Sequence, residues 1–492
     1  MTKTGADHLK SINDGREVFI NGERVADPVN HPAFKNAIRS SAGLYDFQAE
    51  NEELMTFVSP TSGKRVNKCW MKPANYDELV ERREALVAWS RLSCGFMGRS
   101  PDHIASSLLG QVMGMPIFER HSPERAKALG DYYAFARDND LFLTYVIINP
   151  QADRSKEASD QDDEFLVCGV VDEDSTGITV RGAKMLGTSS IMANEVLFAN
   201  IQPLQKGEEK YAISFVVPMA TKGLKILSRK SYEEHATSEF DYPLSTHFDE
   251  NDALIYCDDV HVPWDRVFVY RDTDMCRAQF QDTWGHSSQN YQAQIRLMVK
   301  LQFLMGIAKR IAETNGIIGI PSVRDSLGRL AAYAAMVEGM VHGIEAAGEM
   351  VNGIYGPSRH LVYAAQVITQ EIYPELVTII RELAGGGVIM LPSSVEDFAN
   401  PEIAELINRT QKSPTTDSTG RVKFLKLAWD ALGSEFATRH VQYEMFYAGA
   451  QFVTRGHMFR TYDWDNATGL VDDLLGRYGL PGEARGKRAA AE

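Results

Sequence analysis

Apolar and polar positions change their spacing twice along the chain, and the two changes divide it into three regions. Up to about residue 140 the spacing is mainly helical after a turn-rich start. Residues 76–93 place Leu79, Leu86, Val87 and Trp89 at helical intervals among charged residues. A second helix is predicted over residues 124–139, because Ser122 suits a cap and Pro123 the first helical position. From about residue 141 to 270 the pattern becomes short runs of β-branched and aromatic residues, such as FLTYVIINP, GITVRGAKML and ALIYCDDVHV, punctuated by Gly, Pro, Asp and Asn. Strands in succession without helices between them predict an antiparallel sandwich or barrel.

From about residue 291 long helices return. Residues 291–314 are apolar almost all round, which predicts a buried helix. Residues 322–351 and 361–384 follow, the latter expected to bend or break at Pro374 and to end at Gly385-Gly386-Gly387. Residues 422–449 form a fourth helical segment, and four such segments predict a bundle. The fold class is therefore α+β: a helical region over 1–140, a β domain over 141–275, and a helical bundle over 276–480. The small, charged tail 481–492 is expected to be disordered.

Composition changes this picture little. The chain has 492 residues, 44% hydrophobic and 24% charged, as in ordinary soluble proteins. A net charge of −15 argues against nucleic acid or an anionic membrane surface as partner. No apolar run of membrane-spanning length and no secretory leader is read. Five cysteines at 69, 94, 168, 257 and 276, an odd number without CxxC spacing, speak against a disulfide framework or a structural zinc site, and the cytoplasm is the expected compartment. No metal site is predicted from the twelve histidines. GxGxxG after a strand, GxxxxGK[ST], HExxH and GxSxG are all missing.

Chemistry concentrates in four segments. CGFMGRSPDH (94–103) sets a permanent cation, Arg99, and a titratable ring, His103, about a Pro-Asp helix start. That pair could hold an anionic oxygen and move a proton, or Asp102 could simply cap a helix beside a loop arginine. LFLTYVIINPQADRS (141–155) ends a strand carrying Tyr145 and follows it with Gln151, Asp153 and Arg154. These could bond the polar edge of a ring or a phosphate, or could pair among themselves. In GAKMLGTSS (182–190), Gly187 would let backbone approach a ligand beside the Thr188 hydroxyl, unless the segment is only a turn or bulge. YEMFYAGAQ (443–451) presents a small surface at Gly449 and Ala450, for a planar cofactor or for helix packing.

An order of helices, β region and four-helix bundle is that of the acyl-CoA dehydrogenases and their relatives. More specifically, GRSPDH (98–103), INPQADRSK (148–156), GAKMLGTSS (182–190), ILSRKSYE (226–233), the run 240–272, MLPSSVEDFANPEI (390–403) and FLKLAWDALGSEFATRHVQYE (424–444) resemble the oxygenase component of the 4-hydroxyphenylacetate 3-monooxygenase family, over residues 4–455. The resemblance implies a two-component, flavin-dependent aromatic hydroxylase. A separate NAD(P)H:flavin reductase would supply FADH2. O2 would be the co-substrate, and a flavin C4a-hydroperoxide would hydroxylate a phenol ortho to its hydroxyl. The apolar surface of the long helices 291–314 and 361–384 exceeds what one bundle face needs to bury, which predicts a homotetramer built through the bundle.

The resemblance also implies site roles. Arg99, His103 and Tyr145 would meet the phenol. Tyr145, Val146, Ile147, Gln151, Asp153, Arg154, Thr188, Gly449, Ala450 and Gln451 would hold FAD. In the family's 4-hydroxyphenylacetate enzymes the arginine is followed four residues on by a tyrosine, and a histidine ends the later strand. The resemblance implies a 4-hydroxyphenylacetate-like phenol as substrate, but here His103 and Tyr145 exchange those places, which speaks against 4-hydroxyphenylacetate itself and toward a different small phenol, a halo- or nitrophenol, or a heteroaromatic acid. A 4-hydroxybutyryl-CoA dehydratase-like lyase shares the fold but would need a cysteine pair around 94–103 for its iron–sulfur cluster. This chain has Cys94 there, and Arg99 where a thiolate would be needed.

Overall fold

The computed structural model describes residues 2–479, so the predicted tail falls outside the described residues. All eight predicted strands form. With two strands from the N-terminal region they make two open sheets rather than a closed barrel. One has six strands in the order Glu23–Val25, Glu17–Ile20, Leu224–Ser228, Ala253–Pro263, Gly177–Lys184, Gly169–Glu173. The other has four, in the order Val267–Tyr270, Ile213–Pro218, Glu195–Phe198, Leu143–Val146. Both contribute to one continuous apolar core that includes Val180, Val196, Val216 and Val260.

Two features depart from the expected pattern. The strands 17–20 and 23–25 come from the N-terminal region and extend the larger sheet, with Glu17–Ile20 pairing parallel to Leu224–Ser228. They are too short to carry a period-2 signal. Leu143–Val146 likewise pairs parallel with Glu195–Phe198, so the β region is not purely antiparallel. In Ala253–Pro263 the register shifts between Cys257 and Val260. Asp259 takes a left-handed conformation (φ 51°) at this bulge and bonds Arg181 at 2.7 and 2.8 Å.

The bundle consists of Gly285–Thr314, Pro321–Ala346, Arg359–Ala384 and a fourth segment in two pieces, Ser418–Leu432 and Glu435–Phe446. The fourth helix breaks at Gly433, where a Cβ would strike the Trp429 ring at 2.4 Å, and Ser434 caps the next piece by accepting from Ala437 N–H at 3.1 Å. Arg359–Ala384 continues through Pro374, so the expected break there does not occur, and it ends at Gly385 as expected. Gly285–Thr314 starts six residues earlier than its apolar pattern suggested. Its first turns bury His286, Gln289, Asn290 and Gln292, polar residues that hide the helical period. The start packs tightly on the helix Pro101–Met113: a Cβ on Gly110 would lie 2.1 Å from the Trp284 carbonyl oxygen. Among the described residues no helix is long and apolar enough to cross a membrane.

One buried ion cluster ties the bundle together. Arg296 donates to both Glu444 carboxylate oxygens at 2.5 and 2.8 Å, and Lys300 Nζ reaches the same carboxylate at 2.9 Å. All three side chains are at most 1% exposed. Burial alone would raise the Glu444 carboxyl, but the two cations outweigh it and hold it at about 2. A carboxyl held below its ordinary value stabilises the fold above that value. This contribution is lost as pH falls from 4.5 toward about 2. Glu444→Gln leaves two buried cations without their counter-charge and should cost about 3–5 kcal/mol of stability. It should also flatten the acid limb of a denaturation-midpoint-against-pH curve. An unchanged midpoint would refute this account of the cluster.

Candidate active site

Arg99, His103 and Tyr145 meet in one buried place. Ser93 to Ser100 carries the chain from the helix Tyr76–Leu92 to the helix Pro101–Met113. Ser100, not Asp102, occupies the cap position, and it does so without a capping side-chain bond. Asp102 lies inside the first turn, accepting from Ser100 Oγ and, at 3.1 Å, from Gln292 Nε2. The Arg99 guanidinium stands over the Tyr145 ring at 5.1 Å, over Tyr443 at 5.3 Å and over Tyr447 at 5.8 Å. One always-charged group thus sits in a box of aromatic faces.

His103 follows Arg99 by one helical turn, and its Nε2 contacts an Arg99 Nη atom. A guanidinium can only donate, so Nε2 is the acceptor and the ring proton sits on Nδ1. Burial, then Arg99 and Arg296, holds His103 well below the ordinary histidine value. The expectation that His103 titrates near neutral pH is therefore corrected: it is a neutral ring whose Nδ1–H faces no protein partner. Its ring centroid lies 5.4 Å from that of Tyr145. The two residues that exchange places relative to the family pattern are direct neighbours.

Tyr443 and Tyr447, one turn apart on Glu435–Phe446 and its extension, stack at 5.6 Å. Both hydroxyls are buried without a hydrogen-bond partner. Burial raises both, Tyr443 to about 12, so both remain protonated donors at neutral pH. Neither was singled out from the sequence, although both lie in the segment 443–451 that was. Their aromatic spacing there matches ordinary helix packing.

The remaining predicted residues divide. Val146 and Ile147 are buried where the strand bearing Tyr145 ends. Thr188 donates to Asp252 at 2.6 Å, and its carbonyl accepts from Thr144 at 2.5 Å. Gly187 serves packing: a Cβ there would meet Ile255 at 2.8 Å and Val146 at 3.2 Å. Gly449 (φ 99°) turns the chain between Glu435–Phe446 and Gln451–Thr461, and its carbonyl accepts from Gln370 at 2.8 Å. Ala450 is the cap of that second helix, and Gln451 its half-buried first residue. Gln151, Asp153 and Arg154 lie on an exposed loop. Asp153 accepts from Ser155 N–H and Oγ there, and Gln151 from its amide reaches only the Asn149 carbonyl at 3.4 Å. The structure does not bring these three to Arg99.

A carboxylate pair connects the parts. Glu250 accepts from the Arg99 backbone N–H and from Arg439 at 3.1 Å. Asp252 accepts from Arg439 at 2.5 and 3.0 Å, Arg229 at 2.9 Å and Thr188. Burial opposes the Asp252 charge, but Arg439 and Arg229 outweigh it and hold the carboxyl far below its usual range. Arg439 in turn lies 4.9 Å over the Tyr443 ring. The Arg99 loop, the Thr188 turn and the tyrosine helix are therefore one rigid assembly. Among the described residues no group of three or more His, Cys, Asp or Glu side chains is placed to hold a metal.

An enclosed arginine ringed by tyrosines and a neutral histidine, at the meeting of a β region and a helical bundle, can hold an anionic oxygen. The family described as 4-hydroxyphenylacetate 3-hydroxylase matches this chain with its N-terminal part over residues 4–269 and its C-terminal part over residues 276–476. The oxygenase component of 4-hydroxyphenylacetate 3-monooxygenase from Klebsiella oxytoca is 36% identical, over 96% of this chain and 93% of that one. The oxygenase component of 4-nitrophenol 2-monooxygenase from Rhodococcus sp. is 37% identical, over 98% and 93%. A crystal structure of the 4-hydroxyphenylacetate 3-monooxygenase oxygenase component, complexed with FAD and 4-hydroxyphenylacetate, superposes with a TM-score of 0.91 at 29% identity, covering 96% of this chain and 98% of that one. A 4-hydroxybutyryl-CoA dehydratase from N. maritimus shares the fold, with a TM-score of 0.88 at 22% identity. The chain belongs to the 4-hydroxyphenylacetate 3-hydroxylase family. It is a flavin-dependent aromatic monooxygenase with FAD as cofactor.

Close backbone approach supports the box. A Cβ on Gly98 would lie 2.5 Å from the Tyr443 hydroxyl oxygen. Gly98→Ala should therefore push Tyr443 or the Arg99 loop aside, costing about 1–3 kcal/mol and at least tenfold in substrate affinity while the circular-dichroism spectrum stays native. Wild-type affinity in a folded Gly98→Ala protein would show that Tyr443 and the loop do not shape the pocket.

Proposed function

We propose that this chain is the oxygenase component of a two-component system and hydroxylates a para-substituted phenol ortho to its hydroxyl, with Arg99 binding the substrate oxygen as phenolate. The carrying observation is that the Arg99 guanidinium, held by the neutral His103 ring, lies against Tyr443 and Tyr447, whose buried hydroxyls are left without partners. A buried donor without an acceptor is costly, and a ligand oxygen would satisfy it. The names of the relatives support the substrate class, since 4-hydroxyphenylacetate and 4-nitrophenol are both para-substituted phenols, oxygenated at position 3 and position 2 respectively. Both positions are ortho to the hydroxyl.

Reduced FAD, delivered by a separate NAD(P)H:flavin reductase, reacts when bound with O2 and supplies the oxygen atom to be transferred. The residues near Arg99 suit a flavin beside the substrate: the buried Tyr145, Val146 and Ile147 at the strand end, the buried Thr188 on its turn, and the half-buried Gly449, Ala450 and Gln451 at the corner behind Tyr447. Gln151, Asp153 and Arg154 complete that set if the exposed loop closes on the flavin. Arg99 favours phenolate over phenol, and phenolate is much the richer in electrons at the ortho carbon. His103 Nε2 is already engaged by Arg99, so the ring holds the guanidinium in place rather than taking the substrate's proton. The Tyr443 and Tyr447 faces keep water from the guanidinium, which strengthens its field on the bound oxygen.

The exchange of His103 and Tyr145 conserves the two rings as a touching pair but reverses which wall carries the imidazole. A phenol smaller or less acidic in its side chain than 4-hydroxyphenylacetate, such as a nitro- or halophenol, fits that difference. Assembly into a homotetramer is supported by apolar side chains on Gln451–Thr461 and Trp464–Leu475. Phe452 is 78% exposed, and Phe459, Leu470 and Leu474 are each more than half exposed. The long helix expected to supply that surface instead buries its first half within the subunit. All five cysteines are free, which accords with a reducing, cytoplasmic setting.

Arg99→Ala should lower hydroxylation about 30- to 1000-fold, or about 2–4 kcal/mol in barrier. Reduced flavin and O2 should still be consumed, now yielding hydrogen peroxide. Near wild-type product formation by this variant would place the pocket elsewhere. His103→Gln should lower kcat/KM by a similar factor at every pH between about 5.5 and 8, because the ring is neutral throughout. A wild-type inflection near the ordinary histidine value that vanishes in His103→Gln would overturn the tautomer assignment. Light scattering should give four copies per particle, and a monomer at micromolar concentration would refute the assembly.

A further inference from the structure

A positively charged cavity of about 430 Å³ lies away from Arg99, between the end of the helix Thr273–Gln281, the start of Arg359–Ala384 and the end of Gln451–Thr461. Arg277, Arg359 and Arg460 line it. Asp282 and Glu349 are also on its wall, yet none of the three arginines lies within ion-pair distance of any carboxylate among the described residues. In a chain of net charge −15, three guanidinium groups without carboxylate partners around one cavity are out of place. Their positions are also held. Arg359 donates to the Asp282 and Gln281 carbonyls and lies 4.8 Å over the Trp284 ring. Arg460 donates at 2.8 Å to His457 Nδ1, which puts the His457 proton on Nε2 as a further donor. On the cavity wall Tyr363 and His457 stack at 5.0 Å, and His286 packs tilted behind them at 5.7 and 5.1 Å. Burial and the arginines keep both histidines neutral at physiological pH, at about 3 and about 4.

We propose that this cavity binds a phosphate-bearing anion, with Arg277, Arg359 and Arg460 as its cationic ligands. Forked guanidinium donors match phosphate oxygens, and the stacked rings give the floor a flat apolar surface. Two sources share this chemistry. One is the diphosphate of FAD, since the helix that carries His457 and Arg460 begins at Gln451, about 9 Å away along its axis. The other is a separate phosphorylated molecule. The assignment of the cavity does not depend on the hydroxylase reading, and its test uses no turnover. Inorganic pyrophosphate titrated calorimetrically into the full-length protein at low salt should bind saturably, one per subunit. Arg277→Gln and Arg460→Gln, both at exposed positions, should each weaken it at least tenfold. Absent binding, or binding equally strong in both variants, overturns the proposal. The same titration with reduced FAD bound under anaerobic conditions separates the sources. Loss of pyrophosphate binding identifies the flavin's own diphosphate, and unchanged binding identifies a separate phosphorylated ligand. Either outcome keeps the anion site.

Discussion

Two buried carboxylates, Glu250 and Asp252, hold the site together, and most of its geometry follows from their need for counter-charge. Removing two carboxylates from water is tolerable only if cations and N–H donors surround them. Arg439, Arg229, Thr188 and the Arg99 backbone supply these donors. Each donor belongs to a different part of the chain: the tyrosine helix, the strand end after 224–228, the 187–190 turn and the 98–103 loop. Satisfying the carboxylates therefore fixes four segments relative to one another. Because Glu250 takes the Arg99 backbone N–H and not its side chain, the guanidinium stays free to face the pocket.

The same economy explains why the pocket is electrically lopsided. Arg99 meets rings and a neutral imidazole, not a carboxylate. An ion pair there would cancel the field of the guanidinium. Aromatic faces tolerate a cation without neutralising it, and they exclude the water that would screen it. Burial, then Arg99 and Arg296, hold His103 well below the ordinary histidine value, so the ring adds no second positive charge beside Arg99 near neutral pH. Deeper in the bundle, Arg296 is spent on Glu444 together with Lys300, and that cluster orients the helix that carries Tyr443 and Tyr447.

Much of this was legible in the sequence where chemistry and local pattern coincide. Arg99 and His103 are four apart at a helix start, so any helix there brings them together, and Tyr145 ends a strand with a strong β pattern. The eight strands and the long helices followed from periodicity alone. What escaped had no local signature. Strands 17–25 exist because a sheet edge needed a partner and because Arg16 donates to three carbonyls of residues 190–193. Helix 285–314 starts early because its polar first turns are buried against other elements. Tyr443 and Tyr447 looked like packing aromatics, and only the three-dimensional approach of Gly98 shows that their hydroxyls point at Arg99's surroundings rather than at solvent.

Gln151, Asp153 and Arg154 mark the opposite limit. Their residue types suit a cofactor edge, and the family pattern puts them there, yet their loop lies exposed and satisfies its own groups. Asp153 spends its carboxylate on Ser155, a bond that a ligand would have to replace. Buried residues such as Arg99 and Thr188 have no such alternative, since their partners are fixed by packing. The site is thus rigid where charge is buried and adjustable only where polar groups face water. That division separates two kinds of wall: the one around Arg99 is built into the core, and the loop of Gln151, Asp153 and Arg154 keeps its polar groups on the surface.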